Sequence, residues 1–251
     1  SSLTPQPEIN QRFSALVNTA LATLPEEHVH TVLAEVDQRI GLHRLRQLCG
    51  TGETALEVYW AKRLGEVADV LAELRQFPYY ENYRAMVQAE LSLLRQFHPG
   101  ANSVLLVGSG PLPLTAYFLA AEHGVAVQCL DVDDAANALA KGWLYRLPQT
   151  LPLRFTTADI RDFNPLPATD AVWLCALVLG QSAAEQERLL HSLEARLRLG
   201  QYLGVRSVQA LRCLLYPKVD CRCCRQLEFK GVFHPRDGIV NSFIVLQKPS
   251  T

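Results

Sequence analysis

An excess of charge of either sign is missing from this sequence: 24 Lys and Arg stand against 25 Asp and Glu, a formal net charge of −1. Without a basic surplus there is no electrostatic footprint for non-specific nucleic-acid binding or for a strongly basic membrane-surface protein. Long hydrophobic runs are missing too. The longest apolar stretch, Ala171 to Leu179, falls well short of the roughly 20 residues a bilayer-spanning helix needs. No charged-then-apolar leader opens the chain, so the expected setting is cytoplasmic, with neither nucleic acid nor membrane as a partner. Cysteine is scarce and odd in number, with seven residues at positions 49, 129, 175, 213, 221, 223 and 224. A chain of 251 residues that is 49% hydrophobic can bury its own core, and a disulfide scaffold is not expected. The cluster Cys221-Arg222-Cys223-Cys224 lacks the second pair of a zinc site and has only His234 nearby; reduced thiols near a surface loop fit better, and no metal is assigned.

What is present divides into unlike halves. From Glu8 to about Phe97, apolar residues recur at helical spacing. The spacing predicts helices through Ile9 to Leu24, Val29 to Ile40, Leu42 to Cys49, Glu53 to Phe77 with a break near Gly65, and Tyr80 to Phe97. After His98-Pro99-Gly100, short apolar runs alternate with helical ones. Strands are expected at Ser103 to Val107, Val125 to Leu130, Leu153 to Thr156, Asp170 to Leu174 and Gln201 to Ser207. Two more, Glu228 to Phe233 and Asn241 to Leu246, follow one another without a helix. The pattern predicts a helical domain over 1–98 and, over 99–251, an α/β domain with a mostly parallel, doubly wound sheet and an antiparallel closing strand.

The first strand of that sheet runs into Gly108-Ser109-Gly110, and a helix follows. A glycine turn there lets backbone approach a ligand, and the helix N-terminus offers unsatisfied N–H groups. The third glycine of the dinucleotide fingerprint is absent, because Pro113 holds its place. That departure suits a ligand without phosphate, such as S-adenosylmethionine. Asp131 ends the second strand, where a carboxylate can hydrogen-bond ribose hydroxyls, and Asp159 follows the third, within reach of an adenine. By position alone, each also reads as a solvated strand end or a helix cap.

Several strings together resemble the nicotianamine synthase family: PYYENY from Pro78 to Tyr83 followed by Glu90, GSGPLPLT from Gly108 to Thr115 followed by Tyr117, and TAD from Thr157 to Asp159. ALV from Ala176 to Val178, Arg206-Ser207, LYP from Leu215 to Pro217, FHP from Phe233 to Pro235 and Asn241-Ser242 complete the order. The resemblance implies a helical domain beside a class I methyltransferase-like Rossmann domain. It implies S-adenosylmethionine as co-substrate, held by Gly108, Ser109, Gly110, Pro111, Thr115, Asp131, Asp159 and Leu177, with no metal needed for catalysis. The compact N-terminal half is most similar to the bacterial branch that makes opine metallophores. That branch moves one aminobutanoyl group to histidine, and L-histidine is the expected acceptor, with an opine-type dehydrogenase receiving the product. The alternatives are a nicotianamine-type synthase joining several such groups, an ordinary methyltransferase, and a non-catalytic binding module. A homodimer is compatible with the sequence.

The sulfonium of S-adenosylmethionine activates three carbons, so placement of the nucleophile decides the product. An amine directed at the γ-carbon releases methylthioadenosine. That amine must be neutral, yet an α-amino group with pKa near ~8 is mostly protonated at neutral pH. The resemblance makes Glu90 the proton acceptor, with Tyr117 hydrogen-bonded to it or to the amine. Tyr117 as core packing is the plainer alternative. Tyr83 and Arg206 are expected to bind substrate, since Arg206 ends a strand where ligand crevices open and its guanidinium suits a carboxylate.

Overall fold

The computed structural model describes residues 6–175, 178, 180, 182–236 and 238–250. Helices α1 (Pro7–Leu21) and α2 (Glu26–Ile40) follow the apolar spacing, and Gly41, at φ +79°, turns the chain out of α2. Helix α3 (Leu42–Glu66) then runs without the interruption expected between Cys49 and Glu53. Its glycines serve packing: a Cβ on Gly52 would lie 2.0 Å from the Phe13 ring, so the missing side chain seats α1 against α3. The expected extension to Phe77 ends instead at Glu66. A short α4 (Val70–Leu74) restarts under the Asp69 carboxylate, which accepts from the Ala72 N–H at 3.0 Å. Helix α5 (Tyr80–Phe97) buries Met86, Val87, Glu90, Leu91 and Leu94, a single stripe in which Glu90 is the only charge.

From there strands and helices alternate: β1 (Ser103–Val107), α6 (Leu114–His123), β2 (Ala126–Asp131), α7 (Asp134–Leu144), β3 (Leu153–Thr157), β4 (Ala171–Leu174), α8 (Ala183–Arg196) and β5 (Tyr202–Ser207). A 3-10 turn (Ala210–Leu214) follows, then β6 (Glu228–Phe233) and β7 (Ser242–Gln247). The seven strands lie in the order β3-β2-β1-β4-β5-β7-β6, with β1 to β5 parallel. The antiparallel strand, β7, is inserted between β5 and β6 rather than lying at the rim. Strand order reverses between β1 and β4, and the crevice beyond their C-terminal ends is where open α/β sheets bind ligands.

One apolar core joins the two halves. Leu64, Leu74 and Phe77 from the helical half pack in the same cluster as Val104, Phe118, Trp143 and Trp173. A second cluster lies on the opposite face of the sheet, under α8. Helix α3 is therefore fixed against the sheet's ligand edge. No helix among the described residues is long and apolar enough to cross a membrane.

Candidate active site

The glycine loop has the geometry its sequence calls for. Gly108 and Gly110 have φ of +76° and +69°, conformations that side chains with a Cβ rarely adopt. A Cβ at Gly108 would also lie 2.3 Å from Val178 Cγ2. The Gly108 N–H donates to the Leu130 carbonyl at 2.8 Å, and the Gly110 N–H donates to Asp131 Oδ2 at 2.8 Å. The other Asp131 oxygen accepts from the Asp133 N–H at 3.0 Å. Asp131 thus pins the loop to the end of β2 while lining the crevice. Pro111 turns its carbonyl to the Trp143 indole N–H at 3.3 Å, so it braces the loop from behind. Ser109 Oγ is buried beside the crevice without a hydrogen-bond partner among the described residues. An unpaired hydroxyl in a glycine cradle fits a polar ligand.

Below the loop lies a cavity of about 1000 Å³ between the sheet edge and α3. Arg206, at the end of β5, faces it. Its Nε and Nη2 donate to the two Glu90 oxygens at 2.8 and 2.9 Å, and Nη2 also donates to Thr115 Oγ1 at 2.8 Å. Among the described residues, Nη1 meets only Cys175 Sγ, at 3.7 Å. Burial pushes the Glu90 carboxyl up against the pull of the Arg206 charge. Desolvation works against Arg206, but the Glu90 charge holds it above its ordinary value and keeps it protonated.

This arrangement changes the expected role of Glu90. The side chain is fully buried, both of its oxygens are taken by one guanidinium, and it does not line the cavity. Glu90 therefore positions Arg206. Tyr117 departs further. Two residues on a helix point to opposite sides, so with Thr115 turned toward Arg206, Tyr117 turns away. It packs 5.1 Å from Phe118 and 6.2 Å from Trp143 and hydrogen-bonds Tyr80, with burial pushing its hydroxyl up to about 12. It meets neither Glu90 nor the cavity, and core packing describes it.

Asp159 lies in a neighbouring cavity of about 550 Å³ that meets the first at Gly108 and Asp131. Its carboxylate is held by Arg161, whose backbone N–H donates to it at 2.8 Å. The Arg161 side chain keeps Asp159 below the usual carboxylate range. Leu177 lies outside the described residues. Cys221, Cys223 and Cys224 are free thiols, and no group of three or more His, Cys, Asp or Glu among the described residues is arranged to hold a metal.

The far wall of the cavity holds residues the sequence reading missed. Glu53 and Glu57, four apart on α3, face the sheet. Tyr216 donates its hydroxyl to Glu53 Oε2 at 2.7 Å, and the Tyr83 hydroxyl lies 3.5 Å from Glu57 Oε1. Tyr83, expected to bind substrate, lines this cavity. Glu57 Oε2 comes within 3.0 Å of where a Cβ on Gly110 would stand, so the glycine makes room for it. Glu53, Glu57, Tyr83, Tyr216 and Asn241 also line a second cavity of about 370 Å³ that extends toward α1. Asn241 Nδ2 is buried there without a partner among the described residues. The available signal was a pair of glutamates at helical spacing among Gly52, Ala55, Leu56 and Val58, a weakly polar face for charged residues.

The model of the family described as "Nicotianamine synthase protein" matches residues 1–251. A probable nicotianamine synthase 6 of Hordeum vulgare is 35% identical, over 98% of this chain and 76% of its own length. Nicotianamine synthase 1 of Arabidopsis thaliana is 34% identical, over 98% of this chain and 79% of its own. Among solved structures, a variant of MtNAS in complex with S-adenosylmethionine has a TM-score of 0.83 at 20% identity, over 96% of this chain and 91% of that one. The N-methyltransferase NodS from Bradyrhizobium japonicum, with a TM-score of 0.52 at 16% identity, covers 77% of this chain and 98% of its own, and shares the sheet architecture. These likenesses confirm the helical region followed by a class I methyltransferase-like domain. The plant relatives overturn the bacterial assignment: histidine as acceptor, an opine-type dehydrogenase as partner and a role in opine metallophores have no support. The chain belongs to the nicotianamine synthase family and is a transferase of aminobutanoyl groups with S-adenosylmethionine as co-substrate.

Proposed function

We propose that this chain joins aminobutanoyl groups from several S-adenosylmethionine molecules into nicotianamine, releasing methylthioadenosine at each transfer. The observation that carries this reading is the joining of two cavities across Glu53, Glu57, Tyr83, Tyr216 and Asn241. The larger alone lies at the upper end of the ~300–1,000 Å³ range of small-molecule sites, which leaves room beside a donor for an acceptor that grows.

In this reading the adenosine lies along Gly108, Ser109, Gly110 and Pro111, with Asp131 at the ribose and Asp159 beyond it. Arg206 takes the methionine carboxylate through Nη1, the edge that Glu90 and Thr115 leave open. Helix α3 closes the methionine end with Thr54, Val58 and Ala61, where a small methyltransferase acceptor would need access to the methyl group. An amine held beside α3 meets the γ-carbon instead. The S–Cγ pair leaves with sulfur, and the neutral thioether is the product.

Incubation of the purified chain with S-adenosylmethionine alone tests this. Mass spectrometry should find nicotianamine together with methylthioadenosine. S-adenosylhomocysteine, or methylthioadenosine without any product bearing joined aminobutanoyl groups, would contradict it.

A further inference from the structure

Between Tyr216 and β6 the chain carries the three clustered cysteines, which the transfer does not use. Cys221–Cys223 form a second 3-10 turn, closed by the Cys224 N–H donating to the Cys221 carbonyl at 3.0 Å. The turn is seated on α8: His191 Nε2 lies 3.0 Å from the Cys223 carbonyl, and the Gln226 N–H donates to Glu194. Side chains three apart eclipse one another in a 3-10 turn. Cys221 and Cys224 therefore stand on one side, packed with the apolar cluster under α8. Cys223 is turned elsewhere, its thiol donating to the Asp220 carbonyl at 3.4 Å.

We propose that Cys221 and Cys224 are a reversible dithiol site, oxidised to a disulfide by low-molecular-weight disulfides. A rise of about 2.0 Å per residue over one full turn puts their Cα atoms about 6 Å apart. A disulfide spans roughly 4.4–6.8 Å, so the bond closes without unwinding the turn. Cys221 is half-buried and Cys224 is buried behind it. The Cys221 thiolate attacks one sulfur of the small disulfide, and the other sulfur leaves as a thiolate that takes up a proton. Cys224 then gives up its own proton and attacks the Cys221 sulfur, expelling the second thiolate. The two cysteines lose two electrons and two protons, and the small disulfide leaves as two thiols. A bond between Cys223 and Cys224 would instead close a small ring around one peptide unit, against its planar trans geometry.

The site reaches the cavity through the backbone. Tyr216, bonded to Glu53, stands on the segment that enters the turn, and midway along it the Val219 N–H donates to Ser207 Oγ at 2.9 Å, next to Arg206. A disulfide staples the far end of this strap. The charges that bear on the three thiols are acidic: Asp220 in the turn, and Glu187 and Glu194 on α8. Arg222 is bonded to Asp220, Nε to Oδ1 at 2.9 Å, and His191 to the Cys223 carbonyl. Burial and these charges push the Cys221 thiol up to about 12. Exchange is therefore slow at neutral pH and quickens as the thiolate fraction grows.

The test exposes the reduced chain to glutathione disulfide, quenches with acid, alkylates the remaining thiols in denaturant and maps the peptides by mass spectrometry. Cys221 and Cys224 should be found joined and the other cysteines alkylated, with both thiols returned by dithiothreitol. The bond should form about tenfold faster per pH unit across the neutral range, following the thiolate fraction. Cys223→Ser should keep the bond, and Cys224→Ser should stop at a glutathione adduct on Cys221. Hydrogen exchange of the backbone over 216–224 should slow in the oxidised wild-type chain, a readout that needs no variant. Full alkylation of Cys221 and Cys224 after prolonged exposure would overturn the proposal, as would a bond to Cys223 or a rate that does not change with pH. Unaltered hydrogen exchange in the oxidised chain would overturn the stapling of the Tyr216 strap.

Discussion

The two walls of the cavity are built on different principles. The sheet wall is a clamp of backbone and one buried ion pair: two glycines at positive φ, Asp131 on the loop N–H, and Arg206 fixed by Glu90 and Thr115. The α3 wall is made of side chains with unspent chemistry: two carboxylates, two phenols and an amide without a partner among the described residues. The sheet behind the first wall shares its architecture with NodS. The second draws on α3, α5 and the segment after the 3-10 turn. One donor fold can therefore serve different reactions according to what faces it across the cavity.

The largest expected effect falls on the sheet wall. Glu90→Ala leaves Arg206 buried and unpaired, which should cost about 3–5 kcal/mol in stability. Denaturant unfolding measures it, and a loss under about 1 kcal/mol would show that the clamp is not what fixes Arg206. Asp131→Ala should weaken S-adenosylmethionine binding by about 1.5–3 kcal/mol through lost hydrogen bonds to a charged acceptor. Calorimetry on the folded variant checks this; unchanged affinity would place the donor elsewhere.

The α3 wall should reveal itself in the pH dependence of stability. Unfolded Glu57 ionises in the ordinary carboxylate range, while the folded group keeps its proton to higher pH because of burial and the charge of Glu53. The folded state then holds more protons, so this contribution is full below the ordinary range and lost as pH rises through the folded value. Thermal melts should show the wild type losing ground to Glu57→Gln as pH climbs above the ordinary range; parallel melting curves would show that Glu57 is not perturbed. The smallest effect is expected at Tyr117, whose hydroxyl meets Tyr80 rather than the cavity. Tyr117→Phe should cost about 0.5–1.5 kcal/mol of stability and leave turnover intact. A large loss of methylthioadenosine release in that variant would return Tyr117 to the site.

The sheet wall was legible because its requirements are local. A strand, two glycines and a helix start lie within a dozen or so residues, and Asp131 follows at the expected offset. Arg206 and Glu90 were both picked out, yet their pairing was not, because it spans 116 residues of chain and exists only in the fold. Tyr117 was given the wrong face of α6, an error that helical phase relative to Thr115 corrects. Glu53 and Glu57 escaped notice because a helical glutamate ordinarily faces solvent; only the docking of α3 over the sheet encloses them.

The most direct test of the account follows the carbons of the donor. S-adenosylmethionine isotopically labelled in its methyl carbon alone is supplied to the wild-type chain, and the label is traced by mass spectrometry. The account predicts that all of it stays in methylthioadenosine while nicotianamine accumulates unlabelled. Label transferred to an acceptor, with S-adenosylhomocysteine released, would show that the α3 wall presents its nucleophile to the methyl group and would contradict the account.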